Sequence, residues 1–151
     1  MRRPSGCIAA RVSGPSDPTA ALNQVLSEVI DVVQDVKQAH RKVPETHALH
    51  AVLDQLFDDL RNWARLLMEQ DEALGVSPMA SMPTVAGRKP PNLWPRAASD
   101  EEVRRILGEH LDRLEQHVAA ALAEQEDDGS RAALADVERG LLAHRRALSE
   151  L

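Results

Sequence analysis

Four segments of this chain place apolar residues at every third and fourth position, the pattern of a helix with one buried face. In the first segment this face includes Leu22, Val25, Val29 and Val36. The four predicted helices have approximate limits of 18–40, 45–75, 99–125 and 130–151. The pattern therefore predicts an all-α chain.

The connections between these segments differ in length. The first connection is short and contains Pro44, which ends the first helix. The third connection is the equally short acidic-glycine turn "EDDGS". Residues 76–98 hold five of the nine prolines, which is too long and too proline-rich for a tight hairpin. Short turns join antiparallel neighbours, and one long crossover between the second and third helices is typical of a ferritin-like four-helix bundle. We predict that bundle over residues 17–151, after a flexible N-terminal tail over residues 1–16.

Composition narrows the class of protein. The 151 residues suffice for one domain, and an aromatic content of only 2% requires a core of Leu, Val, Ile and Ala. A net charge of −6 disfavours a dedicated nucleic-acid binder. The single cysteine, Cys7, permits no internal disulfide, which fits a reducing compartment, and we expect a cytoplasmic protein. No long apolar run suggests a signal peptide or a membrane span.

The stretch "HALHAVLD", residues 47–54, is the candidate metal site. His50 and Asp54 are four apart and share one helix face, with His47 close to it. Spacing alone leaves a metal site and a solvated polar patch both open. A di-iron site inside one bundle would need Glu three residues before a histidine, and none of the six histidines has one.

Residues 37–78, "KQAHRKVPETHALHAVLDQLFDDLRNWARLLMEQDEALGVSP", resemble the core of the Dps family. These proteins are mini-ferritins, also called DNA-binding proteins from starved cells. The matching residues are His40, "LHAVLD" with His50 and Asp54, Glu69, and the exit "LGVSP". The last two predicted helices are similar to those of the family as well, so the resemblance covers residues 17–151 apart from the crossover.

The resemblance implies a homo-oligomer, a hollow dodecamer, with a ferroxidase site at each two-fold interface. Histidines and an acid from one subunit and two acids from the other would bind Fe(II), which peroxide oxidises for storage as a ferric mineral. The iron ligands implied here are His40, His50, Asp54 and Glu69. No catalytic residue beyond these ligands is implied.

The chain departs from the family pattern near this site. Arg65 stands where the family has an acidic ligand, and a guanidinium offers no lone pair to a cation. Arg41 replaces the usual Trp, and a loop about two residues shorter would shift His40 out of register. Two hypotheses follow: an iron-oxidising storage protein, or a Dps-fold shell or scaffold whose ferroxidase site has decayed.

Other conspicuous residues receive simpler interpretations. Many Dps proteins coat DNA, and Arg2, Arg3 and Arg11 could contact its phosphates, but against the acidic body we expect only weak binding. His47 is expected to cap or contact its helix start. His110 and His117 are interpreted as ordinary polar-face residues, and the tryptophans Trp63 and Trp94 as packing or interface residues.

Overall fold

A computed structural model describes residues 17–76 and 98–151. The helices are α1 (Pro18–His40), α2 (Ala48–Ala73), α3 (Asp100–Glu124) and α4 (Asp128–Ser149). The all-α prediction of four helices is confirmed. The predicted tail, with Arg2, Arg3, Cys7 and Arg11, and the proline-rich stretch with Trp94 lie outside the described residues.

Two predicted helix starts were wrong by two or three residues. A turn closed by the His47 backbone N–H donating to the Pro44 carbonyl (3.0 Å) precedes α2, so that helix begins at Ala48 instead of near Glu45. The α4 start lies at Asp128 rather than near Ser130, because the Asp127 side chain accepts the Ser130 backbone N–H (2.8 Å). That hydrogen bond also lowers the pKa of the exposed Asp127 carboxyl.

Other helix ends follow the sequence signals closely. Asp17 caps α1 by accepting the Thr19 backbone N–H at 3.0 Å, with Pro18 in the first turn. The predicted capping box of Ser99 and Glu102 is present at α3, where each side chain accepts the other residue's backbone N–H. Beyond α2, Gly75 has φ +75°, the left-handed conformation that favours glycine.

The helices form a bundle in which α1 packs on α2 and α3, and α4 packs on the same two helices. His47 Nδ1, at the start of α2, lies 2.7 Å from Asp100 Oδ2, at the start of α3. These two helices therefore begin at the same end of the bundle and run parallel. Residues 76 and 98 consequently lie at opposite ends, which is the arrangement of a crossover connection.

Leucine and valine dominate the core between the helices. Leu22, Leu53, Leu107 and Leu141, one from each helix, are fully buried. Full burial of such a side chain stabilises the fold by about 1.5–3 kcal/mol. Several apolar residues at the edge of the core are only partly buried: Ile30, Val33, Val52, Ile106 and Leu122. Trp63 is 8% exposed and confirms its assignment as a packing residue.

None of the helices in residues 17–76 and 98–151 is both long enough and apolar enough to cross a lipid bilayer.

Asp71, in the last turn of α2, is an unexpected core residue. Its side chain is fully buried, and neither carboxylate oxygen has a hydrogen-bond partner. Burial penalises the charged form and raises the pKa of Asp71 from 3.8 to about 6. An acid near a helix C-terminus also opposes the helix dipole. Asp71 is therefore a source of instability at neutral pH.

We expect Asp71→Asn to raise the free energy of unfolding at pH 7 by about 1–2 kcal/mol. Between the unfolded pKa of 3.8 and the folded value of about 6, the folded chain retains a proton that the unfolded chain loses. The proton on Asp71 therefore contributes fully to the stability of the fold below pH 3.8, and this contribution is lost as pH rises through about 6. The gain should therefore vanish at pH 4. Urea unfolding at both pH values measures it, with the exposed neighbour Glu72→Gln as control; an equal gain at both pH values would contradict the assignment.

Candidate metal centre at the α1–α2 turn

The candidate metal centre lies where α1 ends and α2 begins. His40 is the last residue of α1, and His50 and Asp54 lie on the first two turns of α2. The intervening loop brings the chain back so that these three side chains meet. They form the one group of three or more potential metal ligands among the described residues.

The three side chains are in direct contact. His40 Nε2 is 2.6 Å from Asp54 Oδ1, and His50 Nε2 is 3.8 Å from Asp54 Oδ2. The two imidazole rings have centroids 3.9 Å apart, inclined at 44°. One candidate ligand atom from each residue lies within 4.8 Å of the other two. The shorter loop thus brings His40 to the other ligands instead of shifting it out of register.

A backbone carbonyl orients His50. Its Nδ1 is 3.2 Å from the carbonyl oxygen of Val43 and donates to it when it carries the proton. In that tautomer, the lone pair of Nε2 is directed towards Asp54, where a metal would bind. Metal-ligating histidines usually donate their other N–H to such a group. His50 is also the best shielded of the three, with 14% of its side chain exposed against 60% for Asp54.

A cavity of about 260 Å³ opens beside His40 and Asp54. Its walls include the apolar side chains of Val36 and Phe57, together with Lys37 and Arg41. The Lys37 ammonium lies 5.8 Å from the centre of the Phe57 ring. A cation entering this cavity therefore meets one carboxylate and two positive side chains, which makes access to the centre electrostatically unfavourable.

The residues present fit a divalent transition metal. Two imidazole nitrogens and one carboxylate oxygen form the donor set of non-haem Fe(II) sites with open positions. Two adjacent ligands with bonds of about 2.1 Å are about 3 Å apart, so the His40–Asp54 contact of 2.6 Å would have to widen to admit an ion. The ion would displace the proton between those two side chains, so metal affinity should fall at low pH.

Glu69, the fourth predicted ligand, lies elsewhere on the subunit. It is fifteen residues beyond Asp54 on α2, about 22 Å along the helix axis. Its Oε1 accepts a hydrogen bond from Arg65 Nη1 at 2.6 Å. The predicted ligand and the site-altering residue thus form an exposed ion pair within one helix. Only another subunit's Glu69 could approach the centre.

Two further histidines form hydrogen bonds with acids between the helices of the bundle. His144 Nε2 lies 2.7 Å from Asp59 Oδ2, joining α4 to α2, and its ring meets Trp63 edge-on. His117 Nδ1 forms a hydrogen bond with the buried Glu28, joining α3 to α1. These contacts fix the antiparallel register of both helix pairs.

Several predictions for individual histidines require correction. His110 Nδ1 lies 2.7 Å from the buried Asp35, close enough for an ion pair although the angles are not those of a hydrogen bond. His110 and His117 are therefore not ordinary polar-face residues. The prediction for His47 is confirmed, because it occupies the N-cap position of α2; its side chain makes no cap hydrogen bond and contacts Asp100.

One sequence signal could have revealed the pairs between α1 and α3. Glu28 and Asp35 are seven residues apart on the buried face of α1, and His110 and His117 are seven apart on α3. Matching spacing on antiparallel helices brings each acid to one histidine, and acids on an apolar face need such partners.

Comparisons with solved structures identify related folds. A Dps protein from Microbacterium arborescens, determined in its high iron form, superposes with a TM-score of 0.75 at 22% identity, covering 89% of this chain and 94% of that one. A Deinococcus radiodurans Dps protein gives 0.79 at 19% identity, covering 88% and 84%. A mutant Mycobacterium smegmatis Dps protein gives 0.79 at 18% identity, covering 93% and 98%. No family model and no curated protein matches the chain. The likeness establishes the fold.

Proposed function

We propose that this chain, which has the fold of Dps proteins, is a mini-ferritin that oxidises Fe(II) and stores ferric iron. The proposed assembly is the hollow dodecamer that the family resemblance implies. Iron would be the substrate and the cargo. The observation that carries the proposal is the contact among His40, His50 and Asp54, which supports it because two imidazoles and one carboxylate suit Fe(II).

The proposed chemistry requires an external oxidant. Two Fe(II) ions each give up one electron, and these two electrons with two protons from solvent reduce one hydrogen peroxide, whose O–O bond breaks to form two water molecules and leave two Fe(III) ions. The protein's part is to bind Fe(II) through two neutral imidazoles and one carboxylate. His50 is held in the required orientation by Val43, and Asp54 partly neutralises the charge on the ion. Ferroxidase activity of this kind would limit peroxide damage.

We expect His50→Ala to abolish iron oxidation, because a site with three ligands in one subunit cannot readily replace an imidazole. The control is His47→Ala, which removes the same side chain three residues earlier, outside the centre. Stopped-flow absorbance of ferric formation with peroxide measures both variants. The proposal requires the His47→Ala rate to match that of the natural chain. Equal rates for His50→Ala and the natural chain would exclude this site.

A shell or scaffold with a decayed site is the second candidate function. The ion pair between Arg65 and Glu69 favours this candidate function. Arg65 stands where the family has an acidic ligand, and Glu69, a predicted ligand, is bound to Arg65 instead of being free to bind iron. In that case light scattering would show that the natural chain assembles into large particles, yet the chain would oxidise iron no faster than buffer does. A monomer in solution would contradict both candidates.

A further inference from the structure

The cavity of about 260 Å³ beside His40 carries more positive than negative charge on its walls. Lys37, in the last turn of α1, and Arg41, just after that helix, both line it and are both exposed. Among the described lining residues, Asp54 is the one carboxylate, and it contacts His40 and His50. Within residues 17–76 and 98–151, neither Lys37 nor Arg41 forms an ion pair. Two cations therefore line the cavity with no acid bound to them.

The Phe57 ring holds Lys37 at the cavity wall. The Lys37 ammonium lies 5.8 Å from the ring centre and the Arg61 guanidinium lies 5.7 Å from it, both within range of a cation–π attraction. Phe57 is half-buried and its neighbour in the wall, Val36, is fully buried. Apolar walls limit the solvent that screens charges, so the charge on Lys37 acts more strongly on a ligand inside the cavity than it would in open water.

This charge pattern suits an anion better than a bare cation. The whole chain carries a net charge of −6, which repels anions at long range, so a saturable anion site needs a local cluster of positive charge. Arg41 has the planar fork that pairs with two oxygens of a phosphate, and Lys37 adds a point charge. The cavity has room for a tetrahedral oxyanion and several waters, each of which takes about 30 Å³ in the liquid.

We propose that this cavity binds a tetrahedral oxyanion of the phosphate class, held by Lys37 and Arg41 beside the metal ligands. The site deepens the proposed function and rests on it in one respect, namely that the anion accompanies Fe(II) at the centre. His40, His50 and Asp54 leave coordination positions open on a metal, and an oxyanion held by two cations still has oxygens to offer there. The anion also neutralises the two positive side chains that oppose the metal.

Anion and metal should therefore bind cooperatively. In the metal-free chain, the negative charge of Asp54 opposes an anion that Lys37 and Arg41 attract. A divalent ion on Asp54 reverses that opposition, and the anion in turn reduces the repulsion that the metal meets. The coupling is reciprocal, so each ion should tighten the binding of the other by the same factor. The centre thus favours Fe(II) that arrives with an oxyanion over Fe(II) alone.

Inorganic phosphate tests the site in the metal-free, full-length chain. Calorimetric titration at pH 7 and low ionic strength should show saturable binding. Arg41→Gln and Lys37→Gln should each weaken it by roughly tenfold, since each removes one charge-assisted hydrogen bond to the anion. Arg113→Gln, which removes an exposed charge from α3, is the control and should have no effect. Melting curves confirm that each variant is folded.

Two outcomes of this titration overturn the proposal. One is the absence of saturable phosphate binding in the natural chain. The other is an equal loss of affinity in all three variants, which would show a response to net charge instead of a local site. Because Arg41 and Lys37 are both exposed, neither substitution disturbs the core, and either one alone suffices for the test.

Zn²⁺ with sulfate tests the coupling, because peroxide oxidises neither ion and the two do not precipitate together. The Zn²⁺ affinity of the natural chain should rise roughly tenfold when sulfate replaces chloride at equal ionic strength. Arg41→Gln should abolish that rise. No rise in the natural chain, or an equal rise in both chains, would refute the coupling. None of these measurements depends on iron oxidation, so the proposed function can fail while the anion site stands, and rapid iron oxidation without phosphate binding would overturn the anion site alone.

Discussion

Substituting Arg65 by aspartate should tighten divalent metal binding about a hundredfold and accelerate Fe(II) oxidation by peroxide. The change replaces a positive charge by a negative one where the Dps pattern has an acidic ligand. Two unit charges about 4 Å apart interact by about 4 kcal/mol at an effective dielectric near 20, and a divalent ion feels twice that. Arg65 is 64% exposed, so solvent screening reduces the effect to the value expected here.

The same variant should make assembly dependent on metal. In the two-fold interface that the family resemblance implies, the new aspartate would face Asp54 of the partner subunit, and without a cation the like charges would weaken that interface. Light scattering with and without Zn²⁺ measures this dependence, and stopped-flow absorbance measures oxidation. Arg65→Gln separates loss of the positive charge from gain of a ligand. If the natural chain oxidises iron rapidly and Arg65→Asp alters neither rate nor affinity, Arg65 points away from the metal.

Gly140→Leu should destabilise the fold by about 3 kcal/mol, the upper end of the usual cost of overpacking. A Cβ at position 140 would overlap the indole ring of Trp63, which packs against the backbone of α4 at this point. The ring is buried and meets His144 edge-on, so it cannot move aside freely. Urea unfolding at pH 7 measures the loss.

Gly108→Leu is the matched control for this prediction. It makes the same change within α3, where a Cβ would meet nothing within 4 Å, and helix propensity alone should stabilise by about 0.8 kcal/mol. The double variant Trp63→Ala with Gly140→Leu should be less destabilised than the two single effects together. Strict additivity would show that residues 63 and 140 do not share this space.

The four helices were predictable because the apolar residues of each one recur at helical spacing and form its buried face. Leu22 and Val25 of α1 are spaced as a helix requires, and tertiary packing preserved that local preference. The start of α2 was less predictable, because Pro44 can open either a helix or a turn. The turn formed through the His47 N–H decided the outcome, and nothing in the local spacing indicates that bond.

The cluster of His40, His50 and Asp54 was predictable only in part. His50 and Asp54 share one helix, so their spacing fixes their proximity. The position of His40 depends on the path of the α1–α2 loop, which neither helix determines. Pairs such as His110 with Asp35 depend on the register between two helices, and the period of a single helix does not contain that information.

The contact between Trp63 and His144 gives the bundle an optical reporter. The chain contains no tyrosine and only two tryptophans, so its near-ultraviolet absorption and emission come almost wholly from indole. The Trp63 ring lies 5.9 Å from that of His144 on α4 and is only 8% exposed. Trp63 emission will therefore report whether α2 and α4 remain packed against each other. Separation of those helices will shift its emission to the red as water reaches the ring.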